Sequence, residues 1–317
     1  PRTNTVYGQN KFAKIQELSR KLNTWKSHFM RFNQDQTQRC IYRNESSREN
    51  FLNTTYFREI ITFPPIPSDM GIVSSIPDNP DNTYIHTAIF KNNNAFDKYF
   101  MISNQRCSPY KESISENGGR RRIKILLDTN ATGFSGFNNW CIIDLDSNKT
   151  VTVFDKRATA LLDLGWYLPG EGKLYRIAPV MQEGGTLVCD EYVNTNFTCN
   201  GIVHGNGHNI TINQGKTISF SEDGGLYMEG GCFVSGINSD NADAVTFQGT
   251  GGANHWKGIT LNGCDSIGIY NTITSNAESN DTPKTYSYSI INTYKVDFRK
   301  CNFITENDRG IIQAVYN

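Results

Sequence analysis

Apolar residues recur at helical spacing in one early segment of the chain and at strand-like spacing through most of the rest. In segment 11–32 the apolar positions share one face of a helix, with Lys, Arg, Glu and Gln between them. These positions are Phe12, Ile15, Leu18, Leu22, Trp25 and Phe29. The spacing predicts an amphipathic helix in a lead-in of residues 1–35. A single helix cannot bury such a stripe alone, so we expect it to pack on another domain or on a partner.

Residues 36–182 carry short runs of β-branched and aromatic residues, such as YFREIITF, YIHTAIFK and RRRIKILLD. The connectors between them are rich in Gly, Pro and Asn, and about eight such runs predict an antiparallel β-sandwich. One run begins with Arg120, Arg121 and Arg122. Because that strand has one face in water, we interpret the arginines as an edge or turn charge cluster rather than a binding cluster.

The sequence pattern changes in residues 183–317, where Gly and Asn become frequent and the apolar runs shorten to three to five residues. This pattern predicts a parallel β-helix, whose turns stack apolar positions inward and carry Asn and Gly at the corners. The runs GCFVSG, YNTITSN and CNFITEN align as a weak repeat that places Phe233, Thr272 and Phe303 at one position. Because the sequence stops directly after a strand, we expect a truncated β-helix whose open end is covered by further chain or by something else.

Composition narrows the classes of function. Lys and Arg number 31 among the 317 residues, and Asp and Glu also number 31, so the formal net charge is zero. This balance argues against a strongly basic nucleic-acid binder. The chain has 35 Asn and 27 Gly but only 20% charged residues, which favours many turns and short strands over a helical bundle. No apolar run approaches the ~18 residues of a membrane-spanning helix.

The eight cysteines are widely spaced and form no CxxC pair, so a structural zinc site or a thioredoxin-type motif has no support. They are either buried free thiols or include one or two disulfides, with Cys189 and Cys199 the closest pair in sequence. The cysteines therefore do not indicate whether the protein works in a reducing or an oxidising compartment.

Acidic side chains in turns of the last region are the candidates for catalysis. Glycoside hydrolysis needs two carboxyl groups about 5–10 Å apart. The candidate catalytic residues are Asp240, Asp243 and Asp265. Carboxylates in turns are more commonly solvated, and some ligate Ca²⁺, but the sequence contains no EF-hand loop. We therefore predict no metal and no cofactor, with calcium as the alternative.

Tryptophan rings are the candidates for carbohydrate stacking. The candidates are Trp140, Trp166 and Trp256. A ring exposed on a sheet face offers a flat apolar platform to a sugar, whereas a buried ring serves only core packing. The sequence leaves these two roles open for all three.

Two longer segments resemble a known architecture. Residues 168–191, LPGEGKLYRIAPVMQEGGTLVCDE, and the runs GKTISF and LYMEGGCFVSG within residues 215–236 resemble secreted bacterial surface proteins. In that group a β-sandwich is followed by a right-handed parallel β-helix, often with a later secretion-sorting domain of the type IX kind. Residues 12–30, FAKIQELSRKLNTWKSHFM, look like the last helix of a glycosidase-type barrel. The motifs are architectural, and no active-site residue is carried over.

The resemblance implies an extracellular or cell-surface location. It implies a structural, adhesive or glycan-contacting segment without catalysis of its own, with a polysaccharide or cell-surface glycan as partner and no nucleic acid. One alternative is a carbohydrate-active enzyme, a polysaccharide lyase or glycoside hydrolase, that uses carboxylates on the β-helix. Another is a filament or coat subunit that self-associates through the ends of its β-helix.

Overall fold

The computed structural model describes most of the chain. The described residues are 6–29, 33–41, 56–63, 85–91, 96–104, 120–130, 133–159, 161–168, 170–250, 256–275, 287–304 and 312–315. Within them the fold is mainly β, with a helix near the start, then antiparallel sheets, then parallel sheets. The predicted mainly β class and the predicted N-terminal helix are confirmed.

The predicted lead-in helix is α1, Val6–Phe29. Its C-terminal end is anchored, because Trp25 is only 3% exposed. Phe29 packs edge-on against Phe90, with 5.9 Å between the ring centroids. Three further residues of the stripe remain in solvent, with exposed fractions of 62, 55 and 48% for Ile15, Leu18 and Leu22. Among the described residues, the stripe is therefore buried at its C-terminal end.

The strands before residue 180 form two antiparallel sheets. In chain order they are β1 Asn33–Ile41, β2 Phe57–Phe63, β3 Ile85–Lys91, β4 Lys98–Asn104, β5 Arg121–Leu127, β6 Asn139–Asp144, β7 Lys149–Asp155, β8 Leu161–Tyr167 and β9 Gly172–Pro179. Sheet A has the order β1-β3-β4-β9-β6-β7, and sheet B has the order β2-β5-β8. Sheet B contacts sheet A through Phe57, whose ring lies 5.1 Å edge-on from that of Phe100.

The rest of the chain forms parallel sheets after a short helix, α2, Val180–Glu183. The strands are β10 Gly185–Thr186, β11 Glu191–Val193, β12 Phe197–Cys199, β13 Ile202–His204, β14 Ile210–Ile212, β15 Thr217–Phe220, β16 Gly225–Glu229, β17 Cys232–Ser235, β18 Val245–Gly249, β19 Ile259–Asn262, β20 Ser266–Tyr270, β21 Thr272–Ser275, β22 Tyr288–Ile291, β23 Val296–Arg299, β24 Asn302–Ile304 and β25 Ile312–Val315. Every third strand pairs, which gives sheet C (β10-β13-β16-β19-β22-β25), sheet D (β11-β14-β17-β20-β23) and sheet E (β12-β15-β18-β21-β24).

The repeat that the sequence suggested is wrong in its register. Phe233 lies in sheet D and pairs with Ile267, whereas Phe303 lies in sheet E and pairs with Thr274. The physical reason is the variable length of the connections. Paired positions in sheet C are as few as 18 residues apart, from Gly185 to Val203, and as many as 33 apart, from Leu226 to Ile259.

Asparagine side chains bond between successive strands at the corners of the parallel sheets. Asn213 Nδ2 donates to Asn194 Oδ1 at 3.1 Å, and Asn196 Oδ1 accepts from the backbone N–H of Thr217 at 2.9 Å. The second of these bonds satisfies a backbone N–H where the chain enters β15. Such bonds explain why this region is rich in Asn.

As far as the structure describes them, the residues fall into two compact units. The antiparallel unit contains residues 1–133, 142–152 and 159–177, and the parallel unit contains residues 134–141, 153–158 and 178–317. The predicted boundary at 182–183 lies close to the last of these divisions. Two short segments from the earlier region belong to the parallel unit, which the sequence did not predict.

Six cysteines in the described residues are free thiols. They are Cys141, Cys189, Cys199, Cys232, Cys264 and Cys301. The interpretation as free thiols is confirmed for these six, and a Cys189–Cys199 disulfide is not formed. None of the described helices is both long and apolar enough to cross a membrane.

Candidate functional site

The three candidate carboxylates lie at two different corners of the parallel unit. Asp240 and Asp243 are in the segment that leads from sheet D to sheet E, and Asp265 directly precedes β20 of sheet D. All three are exposed. The side chain of Asp240 is 89% exposed and forms an ion pair with Lys300. In the part of the chain that is described, no group of three or more His, Cys, Asp or Glu is placed to hold a metal ion.

Two of the candidate tryptophans are in the protein interior. Trp140 is fully buried, and its Nε1 donates to the carbonyl of Phe137 at 3.2 Å. Trp256 is also fully buried and stacks on Phe220, with centroids 4.1 Å apart and planes 5° from parallel. Packing covers both rings, so neither has a face open to a sugar in solution. Trp166 is the exception, because it is half-buried on β8.

A β-bulge brings Trp166 to the outward face of sheet B. Arg122 pairs with Trp166 and Lys124 pairs with Asp163, so β8 has one residue more than β5 between these pairs. Gly165 lies in this bulge with a φ of 81°, a left-handed conformation that favours glycine. Strict alternation would turn Asp163 and Trp166 to opposite faces. The extra residue turns both outward.

Basic side chains lie over the ring and beside Asp163. The guanidinium carbon of Arg120 lies 4.7 Å from the centroid of Trp166, a cation–π contact. Arg122 forms an ion pair with Asp163, and Lys124 Nζ lies 3.9 Å from Asp163 Oδ2. We call these five residues the Trp166 face.

The expectation that the arginine cluster lies at a sheet edge is wrong for Arg121 and Arg122, which lie on β5, whereas Arg120 directly precedes that strand. Strand β5 is the central strand of sheet B, between β2 and β8. Alternation divides the cluster, because Arg121 is only 4% exposed and turns inward while its neighbour Arg122 turns outward. Arg122 therefore lies on the outward face of sheet B, where it pairs with Asp163, and Arg120 precedes the strand with its guanidinium over Trp166.

Asp163 is the acidic group of the Trp166 face. Its partial burial raises the pKa, but the hydrogen bonds from Arg122 and from the backbone N–H of Gly165, together with the charges of Arg122 and Lys124, lower it. The net result is a pKa below the ordinary value of 3.8. At neutral pH the face therefore carries three cationic side chains around one carboxylate.

No protein-family model, no curated protein and no solved structure matches this chain. The face is thus characterised by its own geometry. Sequence reasoning named Trp166 but assigned no ligand role to Arg120 or Arg122. The glycine within the run LDLGWY was the available signal, because an isolated glycine in a strand commonly marks a bulge.

Proposed function

We propose that this chain is a non-catalytic segment of an extracellular surface protein that contacts an acidic glycan through the Trp166 face. We further propose that its antiparallel unit is a β-sandwich and that its parallel unit is a right-handed parallel β-helix. The observation that carries the glycan proposal is the Trp166 ring, half-buried on the outward face of sheet B, with the Arg120 guanidinium over it and Arg122 paired beside it on β5.

The chemistry of the face suits a charged sugar. An indole ring packs against the apolar C–H face of a pyranose, and guanidinium groups bind carboxylate or sulfate through paired donors. The five residues of the Trp166 face carry three cations and one carboxylate, on a chain whose formal net charge is zero. Charge complementarity therefore favours a uronate or sulfated polysaccharide over a neutral one.

The pairing pattern of the parallel unit supports a rigid elongated scaffold. Each of sheets C, D and E takes every third strand, so one turn of the chain contributes one strand to each sheet. In such solenoids every turn packs only on its neighbours, which produces a regular surface for presentation or adhesion. The exposed and dispersed carboxylates Asp240, Asp243 and Asp265 fit a role without catalysis.

Calorimetry on the full chain tests the glycan proposal, with heparin as sulfated probe, polygalacturonate as carboxylated probe and dextran as neutral probe. We expect the two acidic polymers to bind more tightly than dextran. Trp166→Ala should weaken binding by about three- to tenfold, since an aromatic contact contributes ~0.5–1.5 kcal/mol. Arg122→Ala should weaken binding and reduce its dependence on salt.

Two matched variants serve as controls. Tyr294→Ala removes a ring that is 83% exposed, and Arg157→Ala removes an exposed arginine that pairs with Asp155. Both should bind the acidic polymers like the wild type. Equal affinity of Trp166→Ala and wild type would contradict the proposal, and so would tighter binding of duplex DNA than of either polymer.

A further inference from the structure

The outward face of sheet D carries one continuous row of side chains. The row consists of Tyr192, Thr211, Val234, Gly268 and Asp297, each paired in register with the next. Neighbouring strands are about 4.8 Å apart, so the row spans roughly 19 Å. The spacing between neighbouring strands is close to the length of one sugar unit in an extended chain.

The ring of Tyr270 lies across this row at Gly268. A Cβ atom at Gly268 would be only 2.7 Å from Cε2 of Tyr270, 2.8 Å from its Oη and 2.9 Å from its Cζ. Gly268 is buried even though its position faces outward, because the tyrosine ring covers it. Its φ is not positive, so the ring, and not the backbone conformation, accounts for glycine here.

Polar partners fix the edge of the ring. Tyr270 Oη donates to Asp297 Oδ2 at 3.4 Å, and Arg299 Nε donates to Asp297 Oδ1 at 2.9 Å. Partial burial and the adjacent carboxylate of Asp297 raise the pKa of Tyr270, so its hydroxyl remains a donor. The carboxylate and the guanidinium balance each other in charge.

We propose that Tyr270 is a stacking platform for a neutral glycan, with Asp297 and Arg299 as hydrogen-bonding partners of the sugar hydroxyls. The sugar chain runs along the row from Tyr270 towards the exposed ring of Tyr192, one unit per strand. The balanced Asp297–Arg299 pair favours an uncharged sugar over a uronate or a sulfate. This site goes beyond the proposed function, because it shares no residue with the Trp166 face and takes a ligand of different charge.

Calorimetry with cellopentaose, a neutral β-linked oligosaccharide, tests the platform on the full chain. Tyr270→Ala should weaken binding about three- to tenfold, because it removes the stacking surface. Gly268→Ala should weaken it at least threefold, because the new Cβ displaces the ring while the ring itself is retained. Tyr270→Phe keeps the platform but loses the bond to Asp297, and should lie between wild type and Tyr270→Ala.

Tyr294→Ala is the matched aromatic control, and Trp166→Ala separates this site from the acidic-glycan site. Both should bind cellopentaose like the wild type. Circular dichroism and melting temperature check that Gly268→Ala remains folded. The proposal is overturned if the wild type does not bind cellopentaose at millimolar concentration, if Tyr270→Ala binds it within twofold of the wild type, or if Trp166→Ala abolishes its binding. A loss of heparin binding in Trp166→Ala would still test the proposed function separately.

Discussion

Asn139 donates both its backbone N–H and its side-chain Nδ2 to one oxygen of Glu191, at 2.9 and 3.0 Å. The backbone N–H groups of Asn138 and Tyr192 donate to the other oxygen, at 2.7 and 3.0 Å. Glu191 is only 2% exposed. Four donors therefore satisfy a buried carboxylate at the first strand of sheet D, and they join segment 134–141 to that strand.

Replacing this carboxylate should destabilise the protein. In Glu191→Gln an amide nitrogen takes the place of one oxygen, so two N–H donors lose their acceptor. Each buried donor without an acceptor costs about 1–3 kcal/mol, so for two donors we expect a loss of roughly 2–6 kcal/mol in the free energy of unfolding. Urea denaturation measures it, with the exposed Glu229→Gln on β16 as the control. Equal losses in the two variants would contradict a specific role for the network.

The same residue should make stability depend on pH. Burial raises the pKa of Glu191, and the bonds from Asn139, Asn138 and Tyr192 offset this only in part, so the pKa lies above the ordinary 4.5. For an acid with a raised pKa, the stabilising contribution is complete below the ordinary pKa and is lost as pH rises through the folded-state pKa. The stability of wild type relative to Glu191→Gln should therefore be greatest below the ordinary pKa of 4.5 and should fall as pH rises above it. Urea unfolding at several pH values measures this difference, and a constant difference would contradict the assignment.

Local patterns predicted the elements better than their arrangement. The apolar spacing of segment 11–32 predicted a helix that the structure has as α1, Val6–Phe29. The run RRRIKILLD corresponds to β5, Arg121–Leu127. Local patterns could not predict the long-range features. Segment 134–141 joins the parallel unit through bonds to Glu191, which is about 50 residues away. The register of Phe303 depends on connection lengths that no repeat constrains.

The candidate site shows the same limit. Aromatic character alone could not separate Trp166 from Trp140 and Trp256, because exposure depends on which face of a strand meets the core. For Trp166 the bulge at Gly165 determines that the ring lies on the outward face. Alternation along β8 without the bulge would have placed this ring inside.

Removing the glycine of the bulge should therefore affect binding as well as stability. A Cβ at Gly165 meets no atom within 4 Å, so the cost of Gly165→Ala comes from its φ of 81°. A left-handed non-glycine residue costs about 1–2 kcal/mol. If the strand relieves this strain by losing the bulge, Trp166 leaves the outward face. We expect heparin binding to fall about as much as in Trp166→Ala.

Gly263→Ala is the matched control for that experiment. Gly263 also has a positive φ, 60°, and a Cβ added there would likewise meet no atom within 4 Å. The two variants should lose similar stability in urea denaturation. Heparin affinity in calorimetry should fall for Gly165→Ala alone. An equal effect of both variants on affinity would show that strain in general, and not the bulge, weakens binding.

Neutralising Asp163 should strengthen binding of a sulfated glycan. Asp163→Asn removes the carboxylate that Arg122 and Lys124 face. One exposed charge at about 4 Å contributes ~1 kcal/mol, so we expect heparin affinity to rise about fivefold at neutral pH. Wild type should gain affinity only as pH falls through the lowered pKa of Asp163, below 3.8. Asp223→Asn, an exposed acid of the parallel unit, should leave affinity unchanged, and weaker heparin binding by Asp163→Asn would contradict the electrostatic account.

The helix should contribute stability only through its C-terminal end. Trp25 is 3% exposed and packs against Phe29, whereas Leu18 of the same stripe is 55% exposed. Truncating a buried Trp costs about 3–5 kcal/mol, so Trp25→Ala should lower the free energy of unfolding by that order. Leu18→Ala should change it by less than ~0.5 kcal/mol, as is usual at the surface. Urea denaturation of both variants measures the two losses in the free energy of unfolding. A loss in Leu18→Ala comparable to that in Trp25→Ala would contradict the prediction, because it would mean that the exposed part of the stripe is covered in solution.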